Sequence, residues 1–114
     1  MFGTDIMLIR DFADYKLDPH TDAPLRVIVI IFYLPETADH PELGTSIYVP
    51  KNPAMQCEGG PHYVREDFNR VFTAPYVPNS ALCFFKTTNS FHGVEPLPDP
   101  SLSRRLIHFF IRHH

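Results

Sequence analysis

Short runs of Val, Ile, Phe and Tyr alternate with turn-forming residues along the whole chain. The runs cover residues 6–9, 27–33, 46–49, 71–77, 81–85 and 106–111, and each reads as a β-strand. Turn chemistry separates them, as in Pro35-Glu36-Thr37-Ala38-Asp39, Glu58-Gly59-Gly60-Pro61, Pro78-Asn79-Ser80 and Pro96-Leu97-Pro98-Asp99-Pro100. Twelve prolines interrupt any helical pattern, because each lacks a backbone donor and biases the residue before it towards extended geometry. Only residues 63–70 suit a helix, with Val64, Phe68 and Val71 at helical spacing, and that stretch reads equally as an extended lead into the next strand. Residues 51–66 read as a long connecting loop, of the kind that frames a site. Strands at this spacing predict an all-β sandwich or barrel.

The run from Val27 to Tyr33 is apolar at successive positions, which suits a strand covered on both faces. Nothing else in the chain reads as a helix able to cover it, so the expected cover is a second copy, as a homodimer, or a segment outside this sequence. At 114 residues the chain fits one domain, 1–114. A formal charge of -3 leaves no basic footprint for a nucleic-acid backbone. Cys57 and Cys83 are too few for a disulfide framework and form no CxxC pair, which fits a reducing compartment. No apolar stretch approaches the roughly 20 residues of a membrane span, and no basic region leads into an apolar one at the N-terminus. The expectation is a cytoplasmic protein with no membrane partner.

Seven histidines exceed what a chain of this length needs. His20-Thr21-Asp22 places an imidazole and a carboxylate two residues apart, and positions i and i+2 of an extended segment face the same side. A third ligand has to come from elsewhere, and His92, between Asn89-Ser90-Phe91 and Gly93-Val94, is the candidate. Two histidines and one carboxylate leave three cis positions of an octahedron open, which suits non-haem Fe(II) chemistry.

Five segments in order carry a resemblance: Tyr15-Lys16-Leu17-Asp18-Pro19-His20-Thr21-Asp22-Ala23-Pro24, Ile31-Phe32-Tyr33-Leu34, Pro78-Asn79-Ser80-Ala81-Leu82-Cys83-Phe84-Phe85, Ser90-Phe91-His92-Gly93-Val94, and Arg104. Together they resemble the Fe(II)- and 2-oxoglutarate-dependent oxygenases, close to the prolyl-hydroxylase-like branch, over nearly the whole chain. The resemblance implies a double-stranded β-helix, the jelly-roll or cupin-like sandwich, lacking most of the usual N-terminal helical region, since only nineteen residues precede His20. It implies His20, Asp22 and His92 as metal ligands for Fe(II), with 2-oxoglutarate and O2 as cosubstrates and ascorbate as a support. No further catalytic residue is implied.

In that family an Arg or Lys on the final strand anchors the far carboxylate of 2-oxoglutarate, and both Arg104 and Arg105 qualify. Strand alternation favours Arg104, because Arg105 shares its face with the apolar row Ile107, Phe109 and Ile111. A guanidinium suits a carboxylate bidentately. Tyr33 matches a family tyrosine that donates to the same carboxylate, with an interior tyrosine as the plain alternative. Arg10, Tyr15 and Arg26 flank the HxD segment and stand as lesser candidates, as do Asn89 and Ser90 beside His92. His108 reads as a satisfied interior histidine or as a group supporting Arg104, and His40 and His62 as surface residues. The expected function is hydroxylation of a small-molecule or peptidyl substrate with release of succinate and CO2. The rivals are a shortened, non-catalytic metal-binding module and a cupin-like dioxygenase that uses no 2-oxoglutarate.

Overall fold

The computed structural model describes residues 1–114. Eight strands form in chain order: β1 (Phe2–Asp11), β2 (Leu17–His20), β3 (Arg26–Tyr33), β4 (Ser46–Pro50), β5 (Phe68–Thr73), β6 (Ala81–Phe85), β7 (His92–Val94) and β8 (Arg104–His113). One four-stranded sheet has the order β1-β8-β3-β6 and the other β2-β7-β4-β5. Every pairing is antiparallel. Successive strands pass from one sheet to the other, except that β4 and β5 are joined as a hairpin, which is the winding of a double-stranded β-helix. The all-β jelly-roll expectation is therefore met.

The pleat decides what lies between the sheets. Val29, Ile31 and Tyr33 of β3 turn inwards with Leu106 and Phe110 of β8, and Leu43, Ala74, Tyr76 and Leu97 from the connections complete this core. A smaller cluster of Tyr48, Cys57, Phe68 and Phe91 packs beneath the long loop, with Met55 and Tyr63 against it. Period-2 alternation leaves the other row of each strand outside. On the first sheet that outer row is itself apolar: Ile6 is 69% exposed, Leu8 78% and Phe85 66%, and Phe32 stands outward from β3. No element of this chain covers that face, and only 25 of 114 residues are buried.

Residues 63–70 take the extended of the two readings: a single 3-10 turn at Arg65–Asp67 leads straight into β5. The helical spacing of Val64, Phe68 and Val71 marks no buried stripe, because Val64 and Val71 are exposed and only Phe68 turns in, against Tyr48 and Phe91. The strand expected over 71–77 instead ends at Thr73, just before Pro75, after pairing residues 68–73 with β4. No helix is long and apolar enough to cross a membrane.

The second sheet is held together at a point of close backbone approach. A Cβ on Gly93 would lie 2.3 Å from the Leu17 carbonyl oxygen and 3.2 Å from the Tyr48 ring, so only glycine lets β7 sit between β2 and β4. Arg65 stitches the same region, donating from Nη2 to the carbonyls of Leu17 (3.2 Å) and Val94 (2.6 Å) and from Nη1 to the Tyr48 hydroxyl (2.7 Å). The Tyr48 hydroxyl donates in turn to Glu95. Burial and that bond to the Glu95 carboxylate push the Tyr48 hydroxyl up to about 12. Replacing Gly93 with alanine forces β2 away from β7, and the expected loss is about 3 kcal/mol in urea-melt stability, with a lowered Tm as the second readout.

Candidate metal centre

His20 closes β2 and His92 opens β7, and the antiparallel register sets the two residues directly opposite one another. Their rings lie 4.4 Å apart between centroids. Beyond His20 the chain leaves the strand. Thr21 turns away, donating its Oγ1 hydrogen to the Cys57 carbonyl at 3.0 Å, and Asp22 returns to the His20 side. Asp22 Oδ1 stands 3.5 Å from His20 Nε2 and 3.4 Å from His92 Nε2. One ligand atom from each residue falls within 4.8 Å of the others, and all three residues are buried. Glycine again permits the fit: a Cβ on Gly59 (φ +130°) would lie 2.3 Å from the Asp22 carbonyl oxygen, so the long loop can close over the HxD segment.

The donor set fits a divalent cation. Nδ1 of His20 lies 2.9 Å from the Asp18 carbonyl and Nδ1 of His92 lies 2.9 Å from the Ser90 carbonyl. A carbonyl oxygen only accepts, so both Nδ1 atoms carry hydrogen and each Nε2 is the atom presented to the site. Both Nε2 atoms face a carboxylate, an arrangement that needs positive charge between them, as protons or as a metal. Burial raises the Asp22 carboxyl, but hydrogen bonds with His20 and His92 and the charges of His92 and Arg26 outweigh it and hold Asp22 far below the usual carboxylate range. Asp22 Oδ2 is buried with no partner, which leaves a coordinating oxygen unspent.

A cleft runs from this cluster between the two sheets. Its far end holds Arg104, which is 2% exposed. Arg104 Nε donates to the Leu43 carbonyl at 2.5 Å and Nη1 to Asp11 Oδ2 at 2.5 Å, while Nη2 is buried with no partner. Asp11 and Tyr15 line the same end, with Ile9, Ile31, Thr45 and Leu106 as walls. Arg105 points outward, 3.5 Å from Glu36. Of the two arginines, only Arg104 lines the cleft.

Tyr33 does not line the cleft. Its ring packs edge-on against Tyr76 in the core, and its hydroxyl accepts the N–H of Thr45, a residue that does line the cleft, at 3.0 Å. Residue 33 is the last of β3 and pairs with Leu106, which lines the cleft, but its side chain joins the core beside Tyr76 instead. The tyrosine that does line the cleft is Tyr15; burial and the neighbouring Asp11 charge push its hydroxyl up.

Arg26 sits on the metal side, with Nη1 3.2 Å from Asp22 Oδ1 and its guanidinium 3.9 Å over the Phe110 ring. His62 is exposed, yet it stacks on His20 at 4.6 Å, where burial and the His20 charge lower its pKa. His108 is not a satisfied interior histidine. Its Nε2 is buried without a partner and lines the cleft, and burial and Arg26 lower its pKa. Ser90 serves through its carbonyl on His92, whereas Asn89, Arg10 and His40 are exposed and line neither the cleft nor the metal cluster.

Asp11 is the residue that sequence reasoning missed. A lone acidic residue at the end of an apolar strand looks solvated, and its partner lies 93 positions away.

No protein-family model matches this chain, and no curated protein matches it. Among solved structures the fold is similar to that of a Pseudomonas putida prolyl-4-hydroxylase, with a TM-score of 0.58 at 14% identity. The superposition covers 97% of this chain and 52% of that one, so this chain spans about half the length of the hydroxylase whose fold it shares.

Proposed function

We propose that this chain is the double-stranded β-helix of an Fe(II)- and 2-oxoglutarate-dependent oxygenase that hydroxylates a small-molecule or peptidyl substrate. The observation that carries the reading is the His20, Asp22 and His92 cluster, buried at one end of a cleft whose other end holds Arg104 with an unspent N–H edge. His20 Nε2, His92 Nε2 and an Asp22 oxygen would hold Fe(II), leaving cis positions open. A bound Fe(II) would supply the redox chemistry that divides O2 between 2-oxoglutarate, which leaves as succinate and CO2, and a substrate C–H bond, which becomes C–OH.

The residues of this chain bind and orient. Backbone carbonyls of Asp18 and Ser90 fix both imidazole tautomers, so the ligand atoms need no rearrangement when a cation arrives. Arg104 Nη2 would receive the far carboxylate of the cosubstrate, in a cleft with apolar walls between the two charged ends. Ile31, Leu106 and Val94 supply those walls. Arg26 holds Asp22 in position from the metal side.

The rival reading of a non-catalytic metal-binding module predicts the same metal affinity without turnover. A cupin-like site draws less support, because His62 stacks on His20 but stands outside the ligand cluster.

Anaerobic addition of Fe(II) and then 2-oxoglutarate should produce a visible metal-to-ligand charge-transfer band in the wild type. His92→Ala should lose at least about 100-fold in metal affinity, because a first-coordination ligand disappears; calorimetry with Mn(II) reads this directly. Arg104→Ala should keep the metal and weaken 2-oxoglutarate by about tenfold or more, since a charge-assisted bond is lost. Succinate release under air, with ascorbate present, separates the oxygenase from the non-catalytic module: a folded, metal-loaded protein that forms no succinate sinks the oxygenase reading.

A further inference from the structure

The far end of the cleft contains more negative charge than a carboxylate anchor calls for. A guanidinium has five N–H groups in one planar fork. In Arg104, Nε is spent on the Leu43 carbonyl and one N–H of Nη1 on Asp11 Oδ2, so the second N–H of Nη1 and both on the buried, unpartnered Nη2 remain for a ligand. Asp11 and Arg104 lie opposite each other on β1 and β8, both side chains almost fully buried at 6% and 2% exposure. The positive charge of Arg104 is therefore already balanced inside the fold. No second cation lines this end; its other polar neighbours are Tyr15 and Thr45, with His108 further along β8.

We propose that Asp11 is a specificity-determining residue of the cleft: it holds Arg104 as a neutral pair, so a 2-oxo acid with a carboxylate at its far end competes with Asp11 for the guanidinium. This rests on the oxygenase reading and adds to it. An entering dicarboxylate brings a second anion to one buried cation, and like charges at hydrogen-bonding separation in a buried, partly screened site repel. A monocarboxylic 2-oxo acid with an apolar tail meets no such repulsion, and the walls of Ile9, Ile31 and Leu106 suit it. Asp11 thus narrows the advantage that Arg104 alone would give to 2-oxoglutarate. Asparagine at position 11 keeps an acceptor for Nη1 and removes the charge, so it isolates the electrostatic effect from the packing.

The experiment uses the Mn(II)-loaded full chain and calorimetry with two probes. These are 2-oxoglutarate and 2-oxopentanoate, the same five-carbon chain with a methyl in place of the far carboxylate. Wild type should prefer 2-oxoglutarate by less than about tenfold, whereas Asp11→Asn should tighten 2-oxoglutarate by about tenfold or more, the scale of one unbalanced charge in a partly screened site. Binding of 2-oxopentanoate should stay within about threefold and Mn(II) affinity should be unchanged, because Asp11 touches neither probe's oxo-acid end nor the metal ligands. An Asp11→Asn protein that binds 2-oxoglutarate no more tightly than wild type overturns the proposal. If the variant does not fold, the wild-type comparison decides alone: a preference for 2-oxoglutarate of about 100-fold or more shows an anchor unopposed by Asp11 and overturns it too. Binding of Mn(II) with no binding of either 2-oxo acid, in wild type and variant alike, removes the oxygenase reading and this inference with it.

Discussion

The pairing of β2 with β7 is the constraint on which the site depends. It sets His20 against His92, and the chain past His20 then delivers Asp22 to the same point. The pairing is close because Gly93 lets the Leu17 carbonyl approach where any side chain would collide. Arg65 ties the strand ends from outside by capping the Leu17 and Val94 carbonyls, and Asp18 meets its Nε at 3.2 Å. Carbonyls of the same short segments, Asp18 and Ser90, orient the imidazoles. Backbone geometry and ligand geometry are thus one object, and a shift of either strand would disturb both.

Two buried charge centres mark the ends of the cleft, and they differ in kind. At the Asp22 end, hydrogen bonds with His20 and His92 and the charges of His92 and Arg26 outweigh burial and hold the carboxyl far below the usual carboxylate range, while Oδ2 remains without a partner. The Arg104 end is nearly self-sufficient. Burial raises the Asp11 carboxyl more than Arg104 lowers it. Removing charge from water at both ends is costly; the ion pairs at each end offset part of it, and apolar packing of residues such as Val29, Ile31 and Leu106 adds to the balance. The outer face of the first sheet contributes nothing to that balance, since Ile6, Leu8, Phe32 and Phe85 remain exposed. Exposure of apolar side chains on this scale is unusual for a free surface.

The comparison with a bacterial prolyl-4-hydroxylase has the same character. It shares the sandwich over 97% of this chain at 14% identity, so what the two have in common is the winding of the strands. Fold alone does not carry chemistry. The functional reading therefore stands on this chain's own cluster and cleft.

Much of this protein is readable along the chain, because strand alternation and ligand spacing are local. Runs of β-branched and aromatic residues between prolines mark the strands around β3, β4, β6 and β8, and the HxD spacing alone puts His20 and Asp22 on one side. Alternation on β8 likewise separates the buried Arg104 from the exposed Arg105. What the tertiary structure decided involves registers between distant strands. Asp11 finds Arg104 only because β1 pairs with β8, Tyr15 rather than Tyr33 lines the cleft, and Phe68 enters the core from an extended segment where helical spacing had grouped it with exposed valines. His108 and His62 likewise owe their positions to packing across the sandwich and to the fold of the long loop. A side chain's direction follows from its own strand, but the identity of the group it meets is fixed by closure of the two sheets, which no short stretch of sequence contains.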